Sequence, residues 1–388
     1  MDFSLTEEQR MFQDLFREFA QNEVAPLANQ IDREERTPVE TLRKMAEMEL
    51  MGLPIPVEYG GAGLDTLSYC LLMEELGKVC LSTAATVSVH VSNGCMPIYL
   101  DGTEEQKKKY LVPLARGEKV GAFALTEPEA GSDAARIRTT ALRDGDHYVL
   151  NGSKIWIMNG DIASTFVVFA VTDPEAGTRG ITAFIVEKDF AGFKVGRRER
   201  KMGIRGSSTN QLFLDECRVP AENVLGGEEG KGYITALKSL DFARLSMGAV
   251  CLGVAEGAFD QALEFATTRV QFGDVIAHKG AIQAYIADMA TEIEALRCLV
   301  YRTAWTVDQG ERYTRLASMC KLYGSEVANR VVTRAVQIHG GAGYVKDYPI
   351  ERVFRDVRIT RIFEGTSEIQ RFVIASDIFR QKGIKIQP

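Results

Sequence analysis

Glu364 is the residue of this sequence best placed to do chemistry. It lies in the run Arg361-Ile362-Phe363-Glu364-Gly365-Thr366-Ser367-Glu368-Ile369-Gln370-Arg371, where an apolar pair precedes the carboxylate and a glycine follows it. Ser367 and Gln370 have the spacing of a capping box, and Ile369, Phe372 and Val373 begin an apolar helix face. A carboxylate beside bulky apolar side chains and a helix start is partly desolvated, which suits a general base. Alone, the run reads more simply as a surface or capping glutamate, since glutamate is usually in water. Four other segments reverse that reading.

The first is Phe123-Ala124-Leu125-Thr126-Glu127-Pro128-Glu129-Ala130-Gly131-Ser132-Asp133. It is a Pro- and Gly-punctuated loop whose N–H groups and hydroxyls can cradle a polar ring edge or a phosphate. Lys154-Ile155-Trp156-Ile157-Met158-Asn159-Gly160 is a strand end presenting a large aromatic. Arg269-Val270-Gln271-Phe272-Gly273 closes a helix with a cation and an aromatic. Gln337-Ile338-His339-Gly340-Gly341-Ala342-Gly343-Tyr344 is a helix end whose glycines expose backbone to a ligand.

The elements that must position these groups fall into three stretches. Helical spacing runs from Thr6 to about Leu114, with Phe12, Leu15, Phe16 and Phe19 on one face and a capping box at Thr103–Gln106. Near residue 120 the period changes to 2. Tyr148–Leu150, Ile155–Ile157, Phe166–Phe169, Ile181–Val186 and Gln211–Leu214 read as strands, with Asn151-Gly152 as a hairpin turn. No helical runs separate them, so the sheet is expected to be antiparallel, a barrel or sandwich. From Tyr233 onward long helices with short connections predict a four-helix bundle. The expected class is α+β, divided at 1–120, 121–230 and 231–388.

The 388 residues carry a net charge of −7, and the basic stretch Arg197-Arg198-Glu199-Arg200-Lys201 is short and interrupted by an acid, which argues weakly against a nucleic-acid partner. Seven scattered cysteines, none in a Cys-x-x-Cys pair, and four separate histidines suit reduced thiols and no metal site. The acidic N-terminus lacks an apolar leader and no continuous apolar run approaches the ~20 residues of a membrane span, so a cytoplasmic protein without membrane insertion is expected. Gly61-Ala62-Gly63 lacks the third glycine of a dinucleotide fingerprint, because residue 66 is threonine. Gly230-Lys231-Gly232 lacks the Ser/Thr of a P-loop, and no Gly-x-Ser-x-Gly elbow occurs.

In this order and spacing, Thr126-Glu127-Pro128 with Ala130-Gly131-Ser132-Asp133, and Glu364-Gly365-Thr366-Ser367-Glu368-Ile369-Gln370-Arg371, resemble the acyl-CoA dehydrogenase family over essentially the whole chain. The resemblance implies a homotetrameric FAD enzyme that oxidises an acyl-CoA to the trans-2-enoyl-CoA and passes electrons to an electron-transferring flavoprotein. It makes Glu364 the base for the α-proton while the β-hydrogen leaves as hydride to flavin N5, with enolate donors supplied by the Glu364 N–H and a ribityl hydroxyl. It implies FAD contacts from Phe123, Leu125, Thr126, Gly131, Ser132, Trp156, Ile157 and Met158. Contacts to a neighbouring subunit's FAD would come from Arg269, Gln271, Phe272, Gln337, Ile338, His339, Gly340 and Gly341. Thr366, Ser367 and Glu368 would meet the adenosine or pyrophosphate, and Ser132, Asp241, Arg244 and Gly365 the substrate. Some members carry the base just before an arginine on a bundle helix, but here that position is Ala243, so the base stays at Glu364.

The sequence departs from the family's pattern at three places. Met158 stands where a hydroxyl residue is usual near N5, Lys279-Gly280 where an aromatic or His and a Gln are usual, and Phe363 where Tyr is usual. Thr86–Gly94 matches the helix closing the acyl pocket and has no Arg or Lys, which disfavours a dicarboxylate; short, medium, branched and cyclic chains stay open. An acyl-CoA oxidase and a non-catalytic family member are the alternatives.

Overall fold

In the computed structural model, which describes residues 4–386, the three stretches become three layers. Eight helices open the chain: α1 (Glu7–Phe19), α2 (Ala25–Glu34), α3 (Val39–Glu47), α4 (Thr66–Val79), α5 (Leu81–Val89), α6 (Met96–Asp101), α7 (Glu104–Gln106) and α8 (Val112–Ala115). The Thr103–Gln106 capping box forms as expected, and a second one, Thr6 with Gln9, starts α1. A π-helical turn at His90–Cys95 joins α5 to α6.

Seven strands follow: β1 (Gly121–Ala124), β2 (Thr140–Asp144), β3 (His147–Met158), β4 (Thr165–Val171), β5 (Ile181–Glu187), β6 (Phe193–Arg198) and β7 (Thr209–Pro220). They form one sheet in the order β1-β4-β2-β3-β7-β6, with β5 on the other side of β4. Most pairings are antiparallel, but β1 lies parallel to β4 and β2 meets β4 parallel at Thr140 and Val171. The long loop after β1 provides the crossover that a purely antiparallel reading leaves out. β4 and β5 are buried on both faces. Val167, Phe169, Ala183 and Ile185 join the large helical core, and Phe166, Val168, Phe184 and Val186 fill the sheet's own core.

Asn151-Gly152 is not a turn. β3 continues through it, with a register shift against β7 between Leu150 and Gly152, and the β2–β3 hairpin turns instead at Gly145-Asp146, with Gly145 at φ 62°. Asn151 is held in the sheet by its neighbour strand: its Nδ2 donates to Glu216 Oε1 (2.7 Å) and its Oδ1 accepts from the Glu216 N–H (2.8 Å). That cross-strand pairing outweighs the local turn preference.

The C-terminal layer comprises α9 (Gly232–Thr268), a small hairpin of β8 (Val270–Gln271) and β9 (Asp274–Val275), then α10 (Gly280–Asp308), α11 (Thr314–His339), α12 (Ile350–Val357) and α13 (Ser367–Arg380). Among the described residues, α9 is the one helix long and apolar enough to cross a membrane, although no continuous apolar run announces it. In the fold, 89% of its most apolar window is buried, with α4, α10 and α11 packed around it. Where α4 crosses α9 the backbones touch: a Cβ on Gly77 would lie 2.5 Å from Val250 O, on Gly253 1.9 Å from Glu74 O, and on Gly257 2.2 Å from Lys78 O. The seam unites the N-terminal helices and the bundle in one core. Gly253→Ala should therefore cost at least about 3 kcal/mol by overpacking; an unchanged thermal midpoint would show that the two helices can separate.

Candidate active site

Glu364 sits in a turn that an L-residue adopts reluctantly. Its φ is 54° and that of Gly365 is 89°, a left-handed pair that costs on the order of 1–3 kcal/mol at the non-glycine position and persists only when its surroundings enforce it. Gln370 Nε2 donates to both Glu364 O (3.0 Å) and Gly365 O (3.1 Å), and Lys321 Nζ donates to Gly365 O (2.6 Å). A Cβ at Gly365 would lie 2.6 Å from Gln370 Nε2, so only glycine lets that amide approach. The helix cap differs from the expected box by one residue. Thr366 is the N-cap, its Oγ1 accepting from the Ile369 N–H at 3.3 Å, because Gln370 is engaged by the turn.

The carboxylate itself is part-buried and accepts one hydrogen bond, from Asn93 Nδ2 to Oε1 at 2.9 Å. Burial raises its pKa above the ordinary glutamate value; the Asn93 bond and the charges of Arg244 and Lys321 oppose the shift without cancelling it. Arg244, buried on α9, donates to Asp241 Oδ1 (2.7 Å), and Asp241 Oδ2 accepts from Thr314 Oγ1 (2.6 Å). Burial lowers Lys321 to about 8. Of the expected substrate residues, Asp241, Arg244 and Gly365 thus gather around Glu364, whereas Ser132 lies on an exposed loop.

A second group assembles on the sheet. Lys154 is fully buried and donates to Glu127 Oε1 (2.7 Å) and Leu125 O (3.2 Å). Glu127 also accepts from the Arg138 N–H (2.6 Å), the Thr139 N–H (2.9 Å) and Thr139 Oγ1 (2.6 Å). Burial pushes Glu127 up, and these partners more than offset it; burial pulls Lys154 down to about 8. This clamp, with the bond from Ile155 N–H to Thr126 O (2.9 Å), fixes the loop from Leu125 to Ser132 against β3. In the adjoining β-bulge Trp156 takes φ 62° and is turned outward, 59% exposed. An exposed indole held in a strained conformation, on the residue after the Ile155–Thr126 bond, fits a planar ring system lying against it. Leu125 and Ile157 are buried behind this face, and Phe123 and Met158 are half-buried, packed on the helical core.

The remaining expected contacts split by burial. Arg269, Gln271, Gln337, Gly340 and Gly341 are exposed, and Phe272 is 95% exposed. Ile338 and His339 are not presented outward: Ile338 is in the core, and His339 stacks on Phe265 (4.5 Å) with Nδ1 2.8 Å from Ala335 O. Helical phase explains the difference, because the apolar stripe of α11 continues to its last turn. Thr366 and Ser367 serve the turn, Ser367 Oγ donating to Glu326 Oε1 (3.2 Å), while Glu368 is exposed. Lys279 provides the N-cap backbone of α10. Asn93 and Lys321 did not stand out in the sequence, and Glu127 and Lys154 stood there only as members of their segments, not as a pair. Gln370 was read as the capping-box partner of Ser367 rather than as the donor to the Glu364 carbonyl.

Profiles of the acyl-CoA dehydrogenase N-terminal, middle and C-terminal domains match residues 6–118, 122–217 and 230–379. The short-chain-specific acyl-CoA dehydrogenase of Clostridium acetobutylicum is 51% identical over 380 residues, covering 98% of this chain and 100% of the relative. Butyryl-CoA dehydrogenase from Megasphaera elsdenii is similar in structure with a TM-score of 0.96 at 44% identity, over 98% of this chain and 100% of that one. A chain from work on the electron transferring flavoprotein of Acidaminococcus fermentans and flavin-based electron bifurcation has a TM-score of 0.96 at 48% identity, over 98% and 100%. An acyl-CoA dehydrogenase complexed with FAD from Bacillus anthracis has a TM-score of 0.92 at 40% identity, over 98% of this chain and 68% of that one.

The buried clamp yields a test. Lys154→Met strands the Glu127 carboxylate and should cost about 3–5 kcal/mol, seen as a lower thermal midpoint and earlier release of flavin fluorescence on heating. The double variant Lys154→Met/Glu127→Leu should recover part of that loss; a double variant as unstable as the single one would contradict the ion-pair account.

Proposed function

The chain belongs to the acyl-CoA dehydrogenase family and is an FAD-dependent oxidoreductase, and from that premise we propose that it desaturates a short-chain acyl-CoA with Glu364 as the α-proton base. The observation that carries the reading is the setting of Glu364: a carboxylate with raised pKa, a single hydrogen bond, and a backbone enforced from both sides. A thioester α-proton is a weak acid, so its base must be more basic than a solvated glutamate and still ionised near neutral pH.

In this mechanism Arg244 and Asp241 lie beside the thioester end of the ligand, and the Glu364 N–H donates to the carbonyl oxygen as enolate charge develops. Gln370 and Lys321 hold the turn that aims both groups. Bound FAD supplies the two-electron acceptor for the β-hydrogen. The Thr126 loop and Trp156 position the flavin ring, and the phenyl ring of Phe363 and the thioether of Met158 leave that region with fewer hydroxyl donors. Short chains are favoured by two named relatives, a short-chain-specific and a butyryl-CoA dehydrogenase. We assign an electron-transferring flavoprotein as the acceptor, consistent with the Acidaminococcus likeness. We also assign a homotetramer, in which the outward Phe272 (95% exposed) and Tyr344 (90% exposed) are covered by neighbouring subunits.

Two measurements follow. Glu364→Gln should abolish anaerobic bleaching of the flavin by butyryl-CoA while FAD stays bound, and retained bleaching would refute the base. In the wild type, activity should fall as pH drops through the raised Glu364 pKa, so the acid limb of kcat/KM should lie above the ordinary carboxylate value of about 4.3. The same anaerobic screen, followed by re-oxidation with an electron-transferring flavoprotein or with O₂, separates a dehydrogenase from an oxidase.

A further inference from the structure

We propose that Asn93 is a positioning residue that holds one oxygen of the Glu364 carboxylate, setting the base's aim and its working pH. The inference rests on the reading of Glu364 as the base and deepens it.

The contact joins two rigid supports. Asn93 is 3% exposed and lies in the π-helical turn between α5 and α6, a feature that inserts one extra residue and is frequent at functional sites. The turn is pinned on several sides. His90 Nδ1 accepts from the Gly121 N–H (3.0 Å), which leaves Nε2 protonated to donate to Leu114 O (3.1 Å). Ser92 Oγ donates to Ser88 O (2.6 Å), and a Cβ on Gly94 would lie 2.8 Å from the Gly121 Cα. Across the gap, Gln370 and Lys321 lock the backbone of Glu364 and Gly365. Neither side can drift, so the 2.9 Å bond from Asn93 Nδ2 to Glu364 Oε1 is set by the fold rather than by chance rotamers.

The amide also carries a cost. Its Oδ1 is buried and has no hydrogen-bond partner among the described residues, and a buried unsatisfied acceptor is destabilising. A packing role is better served by an apolar side chain of the same size. The donor is therefore what the position uses. A neutral donor on Oε1 favours the ionised carboxylate without adding a competing charge, and it leaves Oε2 to take the α-proton: the substrate C–H bond breaks, the Oε2–H bond forms, and the electron pair stays on the substrate. The charged groups that face Glu364 are Arg244 from α9 and Lys321 from α11, the former balanced by Asp241. Asn93 is the neutral member of that set, so its loss moves the base's pKa without changing the net charge of the site.

The experiment uses the FAD-loaded enzyme with butyryl-CoA. Asn93→Leu should move the acid limb of kcat/KM upward by about one pH unit and slow flavin bleaching at neutral pH, with FAD content and thermal midpoint near wild type. Asn93→Gln, which keeps an amide, should restore part of the shift. An acid limb that does not move in Asn93→Leu, or a rate loss uniform across pH, would overturn the assignment. Glu364→Gln is measured alongside. If it still bleaches, the base reading itself has failed; if it is inert while Asn93→Leu keeps the wild-type limb, only the role of Asn93 has.

Discussion

The left-handed turn at Glu364-Gly365 is the constraint that the surrounding structure answers to. A carboxylate at φ 54° relaxes unless something holds it, and three separate elements do so. α13 supplies Gln370 and begins at the Thr366 cap, α11 supplies Lys321, and the π-helical turn after α5 supplies Asn93. Strain and desolvation act together: the backbone cannot relax to carry the carboxylate into water, so its basicity is kept.

The sheet presents a parallel case with different means. There the buried Lys154–Glu127 pair and a β-bulge, rather than a helix cap, hold an aromatic in a disfavoured conformation. Both devices put an enforced residue at the end of a regular element. Both depend on a buried lysine that donates to a backbone carbonyl, Lys321 to Gly365 O and Lys154 to Leu125 O, an arrangement that is costly to break.

Much of this was legible in the sequence where the signal is local. The helical and strand periods marked the three layers, and the run around Glu364 marked a partly desolvated carboxylate followed by a glycine. Legibility failed where a distant partner overrode a local preference. Asn151-Gly152 reads as a turn, yet Glu216 holds Asn151 inside a strand. Ser367 and Gln370 read as a capping box, yet Gln370 is drawn to the Glu364 carbonyl and the cap moves to Thr366. Asn93 had no signature, because its partner is 271 positions away. The phase of α11 carries the His339 side chain into the core, which the glycine run after it does not announce.

The glycine seam between α4 and α9 has a bearing on how the two layers can part. Three successive close backbone approaches, at Gly77, Gly253 and Gly257, leave no side-chain layer along which the helices could slide. The same α9 carries Arg244 towards Glu364, so the rod beside that carboxylate is keyed to the N-terminal helices. A hinge opening of one layer away from the other would have to break that key along its length. Separation of the two layers is therefore all-or-none, since each approach excludes the side chain that could take up slack between the helices.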